Sequence, residues 1–325
     1  MRVQLNPLFG GVPVDADNLE IVGAYHRRFE ENAEATVWPD SGVIRRSDGA
    51  IEPETLWVES NLKHCGDYHS KWSRLPRKKT GRYFCASLFW WQSYYHWICD
   101  VLPRFHNVLE KLAPDDRIIL PQGTTALHLR SLEWLGVPIE QCVHFSGKRP
   151  WKVEKLMYAS PVAMTGDHEA GALNWMRERV LKACLGRSEA PPGTRRLYVS
   201  RRRAACRRVV NEAGILPLLK RNDFEIIESE AFSLEEQVRL FSEAAVVVGP
   251  HGGGLTNAVW CAPGTKLFEI FEPGSVRRCY WSLARARGLR YACAVGRAVN
   301  NPGGEPDLEF AREAFEAALE QILRP

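Results

Sequence analysis

An α/β chain of two domains, each built on a parallel sheet, is what the sequence predicts, and three observations carry the expectation. Beyond residue 194, short continuous apolar runs alternate with helical patterns, the signature of parallel strands covered on both faces. One of those runs passes directly into three consecutive glycines and a helix start, AVVVGPHGGGLTNAVW. Between the halves lies GRSEAPPGTRR, where two glycines and two prolines interrupt the periodicity. A boundary there divides 1–188 from 189–325, and 325 residues with 45% hydrophobic content suffice for two cores.

In the second half, 197–200 reads as a strand, a helix follows Asn211, and 224–227 reads as the next strand. Gly214 and Pro217 weaken that first helix. Ser233 and Glu236 have capping-box spacing and start another helix. The run 245–248, strands at 266–271 and 290–295, and a helix over 278–287 complete the alternation. A tail helix over 307–323 has apolar Leu308, Phe310, Phe315, Ala318, Leu319 and Leu323 near helical spacing, and is expected to pack back across the boundary. The first half is less regular. It reads as strands at 82–90, 117–120 and 153–159, with helices at 94–112, 126–135 and 174–185; Pro103 should kink the first helix.

Bulk properties exclude little and favour small anionic ligands. A net charge of +4 is below what dedicated nucleic-acid binders carry. No basic-then-apolar leader opens the chain and no run approaches the ~20 apolar residues of a membrane span, so a cytosolic protein is expected. Such a chain is compatible with peripheral docking on an anionic bilayer. Nine cysteines without a CxxC pair read as reduced thiols.

The glycine-rich turn carries the strongest chemical signal. Glycine lets the backbone approach an anion closely, and the helix start that follows faces it with unpaired N–H groups. Gly249, Gly252, Gly253, Gly254 and Leu255 are the candidate cradle of a diphosphate, with His251 as a further donor and Asn257 in the first turn. The competing reading is a tight strand-to-helix turn and nothing more. GxGxxG spacing and the Walker lysine are missing, so nicotinamide and P-loop readings are poor. Seven arginines, Arg195, Arg196, Arg201, Arg202, Arg203, Arg207 and Arg208, gather about the first strand of this half. Arg201 directly follows the strand and is the candidate phosphate clamp; a solvated basic face is the reading for the others. Glu269, near the end of another strand, is the candidate partner of a ribose diol, with Glu272 competing and a plain strand-end charge as the alternative.

In the first half, His96 and Asp100 stand at i and i+4, within reach of each other on a helix. A histidine oriented by a carboxylate is a general base for an acceptor hydroxyl, with the reverse assignment of Asp100 as base also open; a buried, satisfied histidine is the bland alternative. Tyr94, Tyr95 and Trp97 are either core or a sugar-stacking wall. No metal site is expected. Asp15 and Asp17 form a DxD string with no preceding strand, and His64, Cys65, Asp67 and His69 lack a second ligand pair.

Taken together, YYHWICDVLPRF, YVSRRR, SLEEQVRLFSEAAVVVGPHGGGLTN, FEIF and LARARGLRY resemble glycosyltransferase family 61 over about residues 82–295. The resemblance implies a GT-B-like pair of facing Rossmann-like domains and an inverting mechanism. It also implies a nucleotide-sugar donor, a UDP-sugar first, and a glycan or lipid-linked acceptor. With no leader, the chain looks more like bacterial members associated with capsule, exopolysaccharide or lipopolysaccharide assembly. It departs from many relatives in reading HGGG where they read HGA. On this reading no separate cofactor and no nucleic-acid partner are needed. The alternatives are a non-catalytic nucleotide- or RNA-binding module and a GT-B-like sugar-nucleotide epimerase.

Overall fold

A computed structural model describes residues 29–324 apart from 39, 57–74, 148, 275 and 303. The Asp15/Asp17 string and the His64, Cys65, Asp67, His69 group lie outside the described residues. The chain divides into two compact units, one ending at Ala183 and one running from Cys184. Among the described residues, no helix is long and apolar enough to cross a membrane.

The N-terminal unit is built on a seven-stranded mixed sheet. Its strands are β1 (Phe29–Ala33), β2 (Thr36–Trp38), β3 (Val43–Arg45), β4 (Arg77–Cys85), β5 (Arg117–Leu120), β6 (Cys142–His144) and β7 (Trp151–Ala159). The order is β3-β2-β7-β4-β5-β6, with β1 also on β7. β7, β4, β5 and β6 run parallel, as expected, whereas β1 and β2 add antiparallel to the free edge of β7. Two short strands thus cover the outer edge of β7. Ala35, Val37, Ile119, Val153 and Leu156 fill one core cluster of the unit.

Two expectations for this unit are corrected. The strand placed at 82–90 begins at Arg77 and ends at Cys85, because residues 89–92 form a turn in which Trp90 is left-handed (φ 63°). The helix placed at 94–112 is α1 (Tyr94–His96), a π turn at Trp97–Val101 and a 3₁₀ segment at Leu102–Asn107. Pro103 has no N–H to continue the α ladder, and the change of hydrogen-bond spacing falls just before it. Helices α2 (Ala126–Leu135) and α3 (Ala170–Leu185) complete the covering layer.

The C-terminal unit holds a five-stranded, wholly parallel sheet. Its strands are β8 (Arg195–Val199), β9 (Phe224–Ile227), β10 (Ala244–Pro250), β11 (Lys266–Phe271) and β12 (Arg290–Val295), in the order β12-β11-β10-β8-β9. The chain goes outward from β8 to β9, then returns to β10 on the other side of β8. The C-terminal ends of β8 and β10 therefore flank a topological switch point, where open α/β sheets bind ligands. Helices α4 (Glu212–Arg221), α5 (Leu234–Ser242) and α6 (Cys279–Arg287) connect the strands, and a 3₁₀ segment at Gly253–Trp260 follows β10. The Ser233 hydroxyl accepts the Glu236 amide at 3.2 Å while the Glu236 carboxylate accepts the Ser233 amide at 2.7 Å, a formed capping box.

The tail departs from its expectation. Asp307–Glu309 is a strand, β14, paired antiparallel with β13 (Arg297–Val299), and the last helix is α7, Arg312–Leu323. Asp307 is anchored there by Arg208, whose amide donates at 2.8 Å and whose Nη2 donates at 2.6 Å. The buried face of α7, Phe315, Ala318 and Leu319, joins Ile215, Leu218 and Leu219 of α4 over Tyr198, Val246 and Phe268. The apolar stripe of the tail joins the core of the C-terminal unit.

Candidate active site

At the switch point of the C-terminal unit, β10 delivers a glycine turn against the residue that follows β8. Gly249 is still a strand residue, paired with Glu269; a Cβ there would lie 2.9 Å from the Val199 carbonyl oxygen, so its hydrogen is what lets β8 and β10 close. Gly252 is extended (φ 163°, ψ 172°), and its space is taken by a side chain. A Cβ there would sit 1.9 Å from Nη1 and 2.5 Å from Cζ of Arg201. At Gly254 a Cβ would meet Val199 Cγ1 at 2.7 Å and Ser229 Oγ at 2.9 Å, whereas at Gly253 it would meet open space. The amides of Gly253 and Gly254 start the 3₁₀ segment and so have no acceptor within it.

Arg201 is set apart from the other arginines by its partners. Arg202 and Arg203 both pair with Glu228, Arg208 with Asp307, Arg207 with Glu305, and Arg195 with Glu225 and Glu243. Arg196 donates to the Asn222 carbonyl at 2.8 Å. Among the described residues no carboxylate forms an ion pair with Arg201. Its Nη2 donates to the Cys206 carbonyl at 3.1 Å, and its Nε is buried without an acceptor. Burial and then the neighbouring Arg207 hold its guanidinium below the usual arginine range. A desolvated, uncompensated cation against a glycine turn is a position that an anion would stabilise. Ser229 adds a buried hydroxyl without a protein partner beneath Gly254.

The remaining predicted residues of this half support the turn. Leu255 is fully buried and its amide closes on the Gly252 carbonyl at 3.0 Å, which removes it as a phosphate donor. Asn257 is fully buried; its Nδ2 donates to Gln237 at 2.7 Å and to the Gly254 carbonyl at 3.2 Å, and its Oδ1 accepts from Trp260 at 3.1 Å. It ties the turn to α5. Glu269 was expected to take a ribose diol, but it is fully buried with both oxygens engaged, by His251 Nδ1 and by the Tyr291 hydroxyl at 2.6 Å. Burial pushes its carboxyl above the usual range against the pull of those two partners. Its job is therefore to orient His251, whose ring stacks on Phe271 at 5.3 Å and leaves Nε2 as its remaining polar atom. Tyr280 clamps the turn from α6, its hydroxyl donating to the Gly252 carbonyl at 2.7 Å. Glu272, the competing carboxylate, is buried and accepts the Gly274 amide at 2.7 Å.

In the N-terminal unit the predicted pair is formed. His96 Nδ1 lies 2.6 Å from Asp100 Oδ2, and the Thr165 hydroxyl donates to the same oxygen at 2.9 Å. The carboxylate assigns the proton to Nδ1, leaving the Nε2 lone pair able to accept one. Side-chain exposure is 19% for His96 and 3% for Asp100, so the histidine is the member that a ligand reaches. Of the aromatic wall, Trp97 is core, with Nε1 donating to Ser131 at 2.9 Å, and Tyr95 is buried with its hydroxyl 3.0 Å from His168. The exposed ring beside His96 is instead Trp90, at 5.3 Å between centroids.

Sequence reasoning missed Ser229, Tyr280, Tyr291, Thr165 and Trp90. Tyr291 was recoverable in part, since β11 and β12 are consecutive parallel strands and pair Glu269 beside Cys293. Thr165 stands 65 residues beyond Asp100 in a loop and carries no spacing signal.

Comparison with known proteins identifies the family. The family model for glycosyltransferase 61 matches residues 94–268, more than half of the chain. Curated relatives include the EGF domain-specific O-linked N-acetylglucosamine transferases of Bos taurus, 27% identical over 42% of this chain and 27% of that protein, and of Drosophila melanogaster, 27% identical over 51% and 34%. The beta-1,2-xylosyltransferase of Arabidopsis thaliana is 39% identical over 18% of this chain and 11% of its own length. The matched region spans between about a quarter and a third of the transferases that act on EGF domains. With a family model covering the His96 turn, the switch point and the glycine loop together, the chain belongs to glycosyltransferase family 61.

Proposed function

We propose that the chain is an inverting, metal-independent glycosyltransferase that moves a sugar from a UDP donor to a hydroxyl of a glycan or lipid-linked acceptor. The observation that carries this reading is the unpaired, desolvated Arg201 against Gly252 at the switch point. It supports a diphosphate held by the guanidinium and by the amides of Gly253 and Gly254, with Ser229 Oγ and His251 Nε2 alongside. Nε2 of His96 takes the acceptor hydroxyl proton and the oxygen forms a bond to the anomeric carbon from the face opposite the diphosphate. The bond from that carbon to the phosphate oxygen breaks with its electron pair going to the diphosphate, and the configuration inverts. Arg201 offsets the charge that grows there, the part a bound metal plays in other transferases.

The GT-B-like arrangement, the assembly of a surface polysaccharide and work at the inner face of a membrane belong to the same proposal. The family match supports the chemistry in general, and the basic composition supports an anionic surface nearby. The RNA-binding alternative loses support, because five of the seven arginines are already paired with carboxylates, Arg202 and Arg203 sharing Glu228.

Thermal stability against UDP, GDP, CMP and a short RNA, each with and without EDTA, tests the reading, since a ligand of the native state raises the midpoint. A rise with UDP that EDTA leaves unchanged is expected. A rise that EDTA abolishes overturns metal independence, and a rise with RNA alone overturns the enzyme reading.

A further inference from the structure

The loop between β4 and α1 carries three successive aromatics that are placed very differently. Phe89 and Trp91 are buried, at 7% and 3% exposure, and Trp91 Nε1 donates to the Asp40 carbonyl at 2.7 Å. Trp90 between them is 42% exposed. Its backbone is left-handed, φ 63°, which is what lets both neighbours turn inward while its own ring turns out. For a bulky residue that conformation is strained, and Gly or Asn would adopt it at less cost. Burial does not favour tryptophan here, and neither does the backbone. The ring is nevertheless fixed, edge-on to Phe89 at 5.1 Å and tilted 37° against His96 at 5.3 Å.

A held indole beside the group that takes the acceptor's proton presents a plane with a negative face and almost no hydrogen-bonding capacity. The ligand that complements such a plane collects its C–H bonds on one face and its hydroxyls around the rim. A pyranose ring does this; the small hydroxyl side chain of a serine or threonine does not. We propose that Trp90 is the platform for the acceptor, so that the hydroxyl deprotonated by His96 belongs to a sugar ring and not to a peptide side chain. The inference rests on the transferase reading given above. It makes Trp90 a residue that sets acceptor specificity, separate from the nucleotide half.

The test uses the full chain and three variants, Trp90→Gly, Trp90→Asn and Trp90→Phe. Saturation-transfer NMR is recorded with methyl glycosides of glucose, galactose, mannose and N-acetylglucosamine, and with a serine-containing peptide. UDP affinity is measured in parallel by calorimetry. At least one pyranoside should show transfer to its ring C–H protons. Its affinity should fall tenfold or more in Trp90→Gly and Trp90→Asn and return to within about threefold in Trp90→Phe. UDP affinity should be unchanged throughout, and thermal midpoints near the wild-type value report that each variant is folded. Binding of the peptide alone, binding of no pyranoside, or pyranoside binding that survives in Trp90→Gly overturns the inference. Failure of the wild-type chain to bind UDP sinks the nucleotide reading instead, and the pyranoside measurements are read independently of it.

Discussion

Replacing Gly252 by alanine should disable the anion site without harming the fold. The backbone there is extended, a conformation any residue adopts, so the substitution introduces no strain of its own. The new methyl would overlap Nη1 and Cζ of Arg201, at 1.9 and 2.5 Å, and what yields is the far end of a flexible side chain. The cost is thus a displaced guanidinium. A hydrogen bond to a charged group contributes about 1.5–3 kcal/mol, so UDP should bind on the order of ten- to a hundredfold more weakly. Arg201→Ala should cost about as much, and the double variant no more than Arg201→Ala alone, because both changes act through one side chain. Arg201→Ala should also be at least as stable as the wild type without ligand, since it removes a desolvated cation with no carboxylate beside it. Calorimetry of UDP binding in EDTA, with thermal midpoints as the folding control, decides the matter. Additive losses, or an alanine at 252 that binds UDP normally, would refute the assignment of Arg201 as the clamp.

Three further outcomes are expected. His96→Ala should abolish transfer while UDP affinity stays at the wild-type value, and Asp100→Asn should lower kcat with little change in nucleotide binding; retained turnover in a product assay would remove His96 as base. Phe315→Ala should destabilise by about 3–5 kcal/mol, because a fully buried ring linking α7 to the C-terminal core is lost; denaturant midpoints measure this. Acidification should weaken the N-terminal unit below pH 6.5. Burial holds His128 down at about 4 and His168 at about 3, so the folded chain stays neutral where the unfolded chain takes up protons. Stability therefore falls with pH, by at most about 1.4 kcal/mol per unit for each group, and the loss levels off near those values. His128 Nδ1 accepts the Thr125 amide at 3.0 Å, a bond that glutamine at this third helical position would keep; His128→Gln should flatten the profile of thermal midpoint against pH between 6.5 and 4.

What was legible in the sequence was what depends on local pattern. The strands at 117–120, 224–227, 266–271 and 290–295 and the helix at 126–135 fall on their expected residues, because each is a continuous apolar run or an uninterrupted helical stripe. The His96–Asp100 contact followed from i, i+4 spacing although the helix gives way to a π turn after His96. Tertiary choices were not legible. β1 to β3 are three to five residues long and exist through β7 and one another, so no periodicity announces them. The candidate phosphate donors all lie on one turn in the sequence, yet folding divides their roles. Gly249 packs, Leu255 and Asn257 brace, and the amides of Gly253 and Gly254 have no acceptor within the 3₁₀ segment. Glu269 lies on the strand beside that turn, where parallel register places it under His251 and not at a ribose.

The two histidines share one construction, and its details separate their roles. Each has Nδ1 held by a carboxylate, and each carboxylate is held in turn by a hydroxyl, Thr165 on Asp100 and Tyr291 on Glu269. Both rings are fixed in orientation with Nε2 turned away from the carboxylate. His251 is enclosed, at 7% side-chain exposure, stacked on Phe271 and next in sequence to Gly252, surroundings suited to a fixed donor toward an anion. His96 is more open and lies against an exposed indole, and among the described residues no lysine or arginine pairs with its carboxylate, surroundings suited to taking up a proton from a ligand that comes and goes. Removing the supporting hydroxyl should therefore separate the two in kinetics. Thr165→Val should lower kcat by loosening the base and leave UDP affinity alone, whereas Tyr291→Phe should weaken UDP binding by loosening His251. Steady-state rates and calorimetry on the same two variants test this, and a Thr165→Val chain whose loss lies wholly in UDP affinity would show that the division of labour is wrong.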